Sequence, residues 1–335
     1  MRVTMSEIAR LAGVSPATVD RVLNDRAGVR GRTRSIVMEA ARQLGYFGLT
    51  ETQKGKAVRI VFFLPEGPNS FMRGLRTQLL EEAQARPEVS VQVEEVVNPG
   101  PDAYVAALRA VEGKCDAIGI VAPDHPMLRE ELTQLSRKGI RIATLVSDIS
   151  AISKVGYVGI DNRAAGRLAG LLLGRFLNHG KRHKIAVFIG SLAYRGHEER
   201  EMGFRSLLAE DFPELEIVHF GEVGDDRSKA YQQTRQLLER ADIDGIYSIG
   251  AGNQGIVQAL KETRKSRDVV FIGHDLTDTT RTALLDRTMD AVIDQNPRIE
   301  AREILRMLSA AVRGEMEPEY PPRLQVIFRE NIPMR

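Results

Sequence analysis

From residue 58 onward, short apolar runs recur with helical patterns between them, and this rhythm restricts the chain more than any single motif. The runs lie at 58–64, 89–97, 117–122, 140–146, 155–160, 184–190, 217–220, 245–249 and 269–273. Strand-length runs alternating with helices imply parallel sheets wound with helices, because parallel neighbours need a long crossover and the crossover is usually a helix. The predicted fold class is therefore α/β. Ten or so strands exceed one comfortable sheet, and 335 residues exceed one ordinary core, so two doubly wound lobes are expected. Sheets of this kind bind ligands in a crevice at the carboxyl ends of their strands.

The first 50 residues follow a different pattern. Thr4-Met5-Ser6-Glu7 spells a capping box, in which the threonine hydroxyl takes a free backbone N–H and the glutamate reaches back. A helix is predicted from there to about Leu11. Gly13 supplies a tight turn, and Ser15-Pro16 restarts a helix with serine as N-cap and proline at its first position, where a missing N–H costs nothing. That second helix is predicted from Pro16 to about Leu23, and a third from about Arg32 to Leu44, stopped by Gly45. Ile8, Leu11, Val14, Val19, Val22 and Leu23, closed by Ile36, Val37, Ala40, Ala41 and Leu44, are expected to form one small core. Ala17, Thr18 and Arg21 are then left on an outward face. The result is a small all-α head, a helix-turn-helix whose second helix is placed to enter the major groove of DNA.

Charge points the same way. Up to residue 60, eleven Lys or Arg stand against five Asp or Glu, whereas the rest of the chain holds 36 against 40. A basic head neutralises phosphates, and a mildly acidic body stays off them. The apolar runs fall well short of the roughly 20 residues that cross a bilayer. The N-terminus lacks the apolar core and small-residue cleavage site of a secretory signal, so a cytoplasmic protein with no membrane contact is expected. The single Cys115 cannot close an internal disulfide and is read as a structural thiol.

The stretches Ile8-Ala9-Arg10-Leu11-Ala12-Gly13-Val14-Ser15, Thr18-Val19-Asp20-Arg21-Val22-Leu23-Asn24 and Leu44-Gly45-Tyr46 closely resemble the DNA-binding domain of the LacI/GalR repressor family. The resemblance implies operator DNA as a partner. It places Pro16, Ala17 and Arg21 against base edges, and Thr4, Ser6, Ser15, Thr18, Asn24 and Thr33 on phosphates. The chemistry agrees, since short hydroxyls and helix N-termini bind phosphate and a long arginine forks onto guanine. Pro16 and Ala17 stand where many relatives carry larger polar readers, which moves base choice towards Arg21 and DNA shape. Asp20 either accepts from a cytosine or orients Arg21. The linker at 48–57 lacks the family's Pro-Asn and Ala-Arg-x-Leu pattern, so a minor-groove wedge at Leu49 and a flexible basic tether remain alternatives.

Over 57–330 the chain order resembles the periplasmic-binding-protein-like sensor of the same family. Val158-Gly159-Ile160-Asp161-Asn162, followed by Gly166-Arg167-Leu168-Ala169, looks like its first crossover between lobes, with Asp161 as a helix cap. Ala291-Val292-Ile293-Asp294-Gln295 looks like the return, and Phe328-Arg329-Glu330-Asn331 like the terminal strand. The implied organisation is a DNA-binding head at 1–47, a linker at 48–57 and an effector-binding and dimerisation domain at 58–335. Lobe 1 is expected over about 58–160 and 296–320, and lobe 2 over about 161–295 and 321–335.

Ligand roles follow from the same resemblance. Arg200, three before Gly203-Phe204, matches an arginine that grips hydroxyl or carboxylate groups, and Asp275 a carboxylate that accepts from vicinal hydroxyls. Gln295 matches a strand-end amide, Asn69 and Phe71 a polar group and a stacking aromatic, and Ser147 or Asp148 a polar residue ending the fourth strand. Asp124 and Asn253 are further candidates. Convergent polar groups with an aromatic platform suit a polyol, because each hydroxyl needs a donor and an acceptor. The implied effector is a small sugar, polyol or sugar derivative. A homodimer, or a higher oligomer, is expected because one small head buries too little DNA for nanomolar affinity.

A rival reading comes from Gly250-Ala251-Gly252-Asn253-Gln254-Gly255, which spells the GxGxxG of a dinucleotide fold, with Asp275 near the spacing of its ribose-binding acid. That would make the protein a dinucleotide-sensing regulator, although the motif falls deep in the second lobe rather than at its opening. His179 and His183 enclose Gly180 and no glutamate follows the first, which fails the zinc-protease pattern, and no nucleophile elbow or P-loop appears. No catalytic residue, metal or cofactor is expected.

Overall fold

In the computed structural model, residues 4–23, 29–43, 57–177, 180–315 and 322–334 are described. Asn24, the Leu44-Gly45-Tyr46 stretch, linker residues 48–56 and His179 lie outside them.

The head consists of α1 (Met5–Ala12), α2 (Pro16–Leu23) and α3 (Gly31–Gln43). Thr4 and Glu7 form the reciprocal capping box at α1, and Gly13 ends that helix in the left-handed region at φ 65°, sending its N–H back to Ala9 O. Ser15 Oγ caps α2 by accepting from Thr18 N at 3.2 Å. Ile8, Ala9, Val19, Val22, Val37, Ala40 and Ala41 form the buried cluster. Leu11 and Ile36, both expected in that core, are instead 50% and 45% exposed. Each sits about 100° round its helix from a neighbour that faces inward: Ala12 packs against the cluster beside Leu11, and Val37 is buried beside Ile36.

Lobe 1 is built from β1 (Val58–Pro65), α4 (Ser70–Gln84), β2 (Val89–Val96), α5 (Pro101–Ala110), β3 (Ala117–Ile120), α6 (Pro126–Arg137), β4 (Arg141–Leu145) and β5 (Gly156–Val158). The sheet order is β2-β1-β3-β4-β5, and the pairs are parallel. Strand β1 is apolar from Ile60 to Leu64 because both its faces are covered there, whereas Arg59 near its start stays partly exposed and pairs with Asp116 at 2.8 Å. Ile60, Phe62 and Leu64 pack with α4 residues Leu75 and Leu79, while Val61 and Phe63 pack with Leu108 and Leu132 on the other side. Each such fully buried side chain contributes about 1.5–3 kcal/mol.

Lobe 2 repeats the plan with α7 (Asn162–Phe176), β6 (His183–Ile189), α8 (Arg195–Asp211), β7 (Leu215–Glu222), α9 (Arg227–Arg240), β8 (Gly245–Ser248), α10 (Asn253–Glu262), β9 (Val270–His274), α11 (Asp278–Leu285) and β10 (Ala291–Asp294). Its sheet runs β11-β10-β9-β8-β6-β7, with the short β11 (Gln325–Ile327) antiparallel to β10. Helix α12 (Pro297–Arg313) follows β10 in the chain but buries Ala301, Ile304, Leu305 and Leu308 in the core of lobe 1. The chain thus passes between the lobes after β5, after β10 and again before β11. In each sheet the strand order reverses beside the first strand, between β1 and β3 in one and between β6 and β8 in the other. Those are the switch points at which crevices open.

Helices α7 and α8 approach closely. Gly166, Gly170 and Gly174 recur every fourth residue along one side of α7, and a Cβ on Gly166 would stand 1.8 Å from the carbonyl oxygen of Arg200 on α8. Reciprocally, a Cβ on Gly203 would stand 2.1 Å from the carbonyl oxygen of Arg163. The two backbones touch where Arg200 begins.

Candidate functional site

A cavity of about 260 Å³ lies between the lobes and is lined from the carboxyl ends of strands in both sheets. Lobe 1 contributes residues following β1, β2, β3 and β4, and lobe 2 residues following β6, β7, β8, β9 and β10. Asn69, Phe71, Ser147, Arg200, Asp275 and Gln295 all line it. Asp124 and Asp148 do not, because nearer cations claim them. Asp124 Oδ1 takes Arg129 Nε at 2.6 Å while its Oδ2 takes the Ser150 hydroxyl, and Asp148 is held by Lys154 Nζ at 2.6 Å and the Thr144 hydroxyl. Asn253 opens α10 with its amide turned to His274 O at 3.3 Å, also outside the lining.

Among the lining residues that the sequence reading missed, Tyr194, His197 and Asp225 carry the most chemistry. His197 stands three residues before Arg200 on α8, a spacing that puts both on one face and could have flagged it. Asp225 is held at φ 56° in the turn after β7, where it accepts from Ala251 N at 2.8 Å. Nothing in the local sequence signals that role. Burial pushes the Tyr194 phenol up to about 12 and draws the His197 imidazole below its ordinary value, so burial favours the neutral form of both.

Arg200 is 3% exposed, and its plane is set by Nε donating to Asn162 Oδ1 at 2.7 Å and Nη1 to Ile249 O at 2.9 Å. Asn162 in turn donates to Val146 O at 3.3 Å and to the Tyr157 hydroxyl at 3.1 Å. Val146 is β-branched yet sits at φ 64°, a costly conformation for such a residue, and the Tyr157 hydroxyl also holds its carbonyl at 3.0 Å. The grip of Arg200 is thereby tied to a strained residue of the opposite lobe. Further hydrogen bonds cross the cleft directly: Asn69 Nδ2 to Asp225 Oδ2 at 2.8 Å, Gly196 N to Ser147 Oγ at 3.0 Å and Asp124 N to Ala193 O at 3.0 Å. The lobes are closed on one another.

Asp275 lies at φ 67° just past β9 and accepts from Gln295 Nε2 at 2.7 Å. Burial drives its carboxyl up to about 7, against the pull of Arg200 and of the Gln295 hydrogen bond, with Asp294 and Asp225 adding to the rise. The other amide atom, Gln295 Oε1, is buried without a partner among the described residues. A carboxylate and an unmet amide oxygen side by side call for donors, and hydroxyl groups supply them. The pH consequence has a definite sign. The folded value lies above the unfolded one, so this group's contribution to stability is present below about pH 4 and is lost as pH rises through about 7. A hydroxyl donating to Asp275 favours the ionised form, so effector affinity should rise between about pH 6 and 8 with proton release. Calorimetry in buffers of different ionisation enthalpy measures that release, and Asp275→Asn should remove it.

The glycines of the GxGxxG stretch have packing reasons of their own. A Cβ on Gly255 would stand 2.1 Å from Arg227 O, one on Gly250 would stand 2.8 Å from Gly190 N, and Gly252 sits at φ 107°. These close approaches join α10 to α9 and the end of β8 to that of β6, leaving the dinucleotide reading without support.

On the head, Thr4, Ser6, Ser15, Pro16, Ala17 and Arg21 are exposed, and Thr18 and Thr33 half-buried. The Ser15 and Thr18 hydroxyls meet at 2.9 Å at the N-terminus of α2, where free N–H groups favour an anion. Among the described residues, no helix is long and apolar enough to cross a membrane, and no group of His, Cys, Asp and Glu is suited to a metal ion.

Comparison with known proteins places both parts. Residues 60–316 match the periplasmic binding protein domain, and residues 4–47 match the bacterial regulatory proteins of the lacI family. The chain is 25% identical over 348 residues to the ribose operon repressor of Bacillus subtilis, covering 97% of this chain and 96% of that one. It is 25% identical over 248 residues to the sucrose operon repressor of Streptococcus mutans, covering 72% of each. Among solved structures it superposes on a glucose-galactose binding protein from Geobacillus stearothermophilus with TM-score 0.75 and 22% identity, over 83% of this chain and 100% of that one. With a helix-turn-helix head in front of a two-lobed, strand-end cleft, the chain belongs to the lacI family of bacterial regulatory proteins, and its body is a periplasmic binding protein domain.

Proposed function

We propose that the protein is a cytoplasmic, homodimeric transcriptional repressor whose hold on operator DNA is set by a monosaccharide-sized sugar or polyol in the interlobe cleft. The observation that carries this reading is the convergence of buried Arg200 and Gln295 and half-buried Asp275 on one cavity of about 260 Å³, near the lower end of small-ligand sites. Arg200 grips an oxygen of the ligand, Asp275 and Gln295 accept from its hydroxyls, and Phe71 and Tyr194 cover its ring. The names of the sucrose and ribose operon repressors support the sugar class.

A ligand that joins the lobes favours one relative placement of them. In a dimer that shift changes the spacing of two heads over two half-sites. In each head α2 enters the major groove with Arg21 as the principal base reader, and the hydroxyls of Thr4, Ser6, Ser15, Thr18 and Thr33 hold phosphates.

The test has two arms. In a thermal-shift panel of monosaccharides and polyols, a binder present at 100 times its Kd should stabilise the protein by about 2.7 kcal/mol; a flat panel counts against the effector class. In selection of genomic fragments by the full chain, recovered sites should share a palindrome. Arg21→Ala should weaken binding to them by about 1–3 kcal/mol and blur one position of each half-site. Unchanged selectivity would remove Arg21 as reader.

A further inference from the structure

The two walls of the cleft differ in chemistry. Lobe 2 brings Arg200, Asp225, Asp275 and His197, whereas the lobe 1 wall is dominated by Phe71, Met72, Val121, Val146 and four prolines, Pro65, Pro68, Pro99 and Pro123. Proline has no N–H, so these positions remove backbone donors as well as polar side chains. The polar side chains that lobe 1 does present are largely engaged. Asn69 Oδ1 caps α4 by accepting from Phe71 N and Met72 N, and its amide donates to Asp225. Ser147 Oγ accepts from Gly196 N, and Glu66 is exposed. Asp124 and Asp148, which follow β3 and β4, are turned into their own ion pairs, which leaves Glu66 as the lobe 1 carboxylate in the lining.

A ring hydroxyl directed at lobe 1 would therefore be desolvated with few partners, while a methyl group there would meet apolar surface. A hydroxyl directed at lobe 2 finds the carboxyl of Asp275, the guanidinium of Arg200 and the unpartnered Oε1 of Gln295. We propose that the effector is an amphipathic monosaccharide, a deoxy or methyl-bearing sugar whose hydroxylated edge faces lobe 2 and whose methyl or hydrocarbon edge faces the proline-rich wall of lobe 1. This rests on the sugar reading of the same cleft and narrows it.

The discriminating measurement is isothermal titration of the full chain with matched pairs that differ only in the 6-hydroxyl: D-galactose and D-fucose, L-galactose and L-fucose, D-mannose and D-rhamnose, L-mannose and L-rhamnose. In the pair that binds best, the deoxy member should bind about tenfold tighter or more, the scale of one unpaired buried hydroxyl. Val121→Thr keeps the shape of a fully buried wall residue and adds a hydroxyl, so it should shrink that preference. If the parent hexose binds as tightly as its deoxy partner or more tightly, the amphipathic assignment is wrong and the sugar reading stands. If no member of any pair binds, the amphipathic assignment is wrong, and the panel of monosaccharides and polyols decides the sugar reading. The wild-type comparison decides the matter even if the variant fails to fold.

Discussion

Gly166→Ala is expected to destabilise lobe 2 by about 3 kcal/mol or more and to lower the Tm by roughly 6–12 °C. The added methyl would lie 1.8 Å from Arg200 O and 2.7 Å from its carbonyl carbon, both backbone atoms of α8. No rotamer change relieves such a clash, so the helices must separate, and Phe204, Leu207 and Leu208 lose packing against α7. Two other helical glycines serve as controls. At Gly170 the nearest atom is a leucine methyl at 3.2 Å, which can shift, and the change should stay within about 1 kcal/mol of neutral. At Gly74 on α4 nothing lies within 4 Å, so alanine should stabilise by about 0.5–1 kcal/mol through helix propensity alone. Thermal melts of the three variants give the order directly; equal Tm values for Gly166→Ala and wild type would refute the close contact. Because Arg200 stands at the point of contact, Gly166→Ala should also weaken effector binding.

Arg200→Ala is expected to reduce effector affinity at least about 100-fold while leaving DNA binding by the head intact. Two effects add. The ligand loses charge-assisted hydrogen bonds, each worth about 1.5–3 kcal/mol. Asp275, already pushed up to about 7 by burial, also loses the positive charge that opposes the rise, and is then neutral at physiological pH and a poorer acceptor. The same deletion leaves Asn162 Oδ1 and Ile249 O short of a donor, so a lower Tm accompanies it. Titration calorimetry for effector and anisotropy with operator fragments separate the two functions. A variant whose DNA binding still responds at wild-type effector concentrations would show that Arg200 only buttresses the lobe contact.

Much of this was legible in the sequence because of how parallel sheets bury strands. A stretch covered on both faces, such as Ile60 to Leu64 of β1, is a continuous apolar run, so it stands out in the sequence. The capping box at Thr4 and the Ser15-Pro16 start were equally readable, since caps are local hydrogen bonds between near neighbours. The glycine series at 166, 170 and 174 was also there to be read, at the spacing that lines one side of a helix, but was not used. Leu11 and Ile36 were misplaced because a step of one residue turns a helix by 100° and a hydrophobic stripe has ragged edges.

The cleft was readable only in part. Arg200, Asp275 and Gln295 fall at helix starts and strand ends, where chain order alone brings residues to the crevice. Asp124 and Asp148 occupy similar places in the sequence, yet Arg129 and Lys154, a few residues on, turn them away. Asp225 had no local signal, because its part is to meet Asn69 across the cleft, 156 positions away.

By itself the sequence determined the alternation of elements, the helix starts in the head and the strand ends from which a crevice can be built, since each follows from side-chain period and hydrogen bonds within a few residues. Only the tertiary structure decided which strand-end groups share a cavity, that Asp275 is desolvated enough to hold its proton near neutrality, and that one wall is richer in polar groups than the other. Those properties depend on desolvation and on neighbours from distant parts of the chain, and neither is set until the two lobes meet.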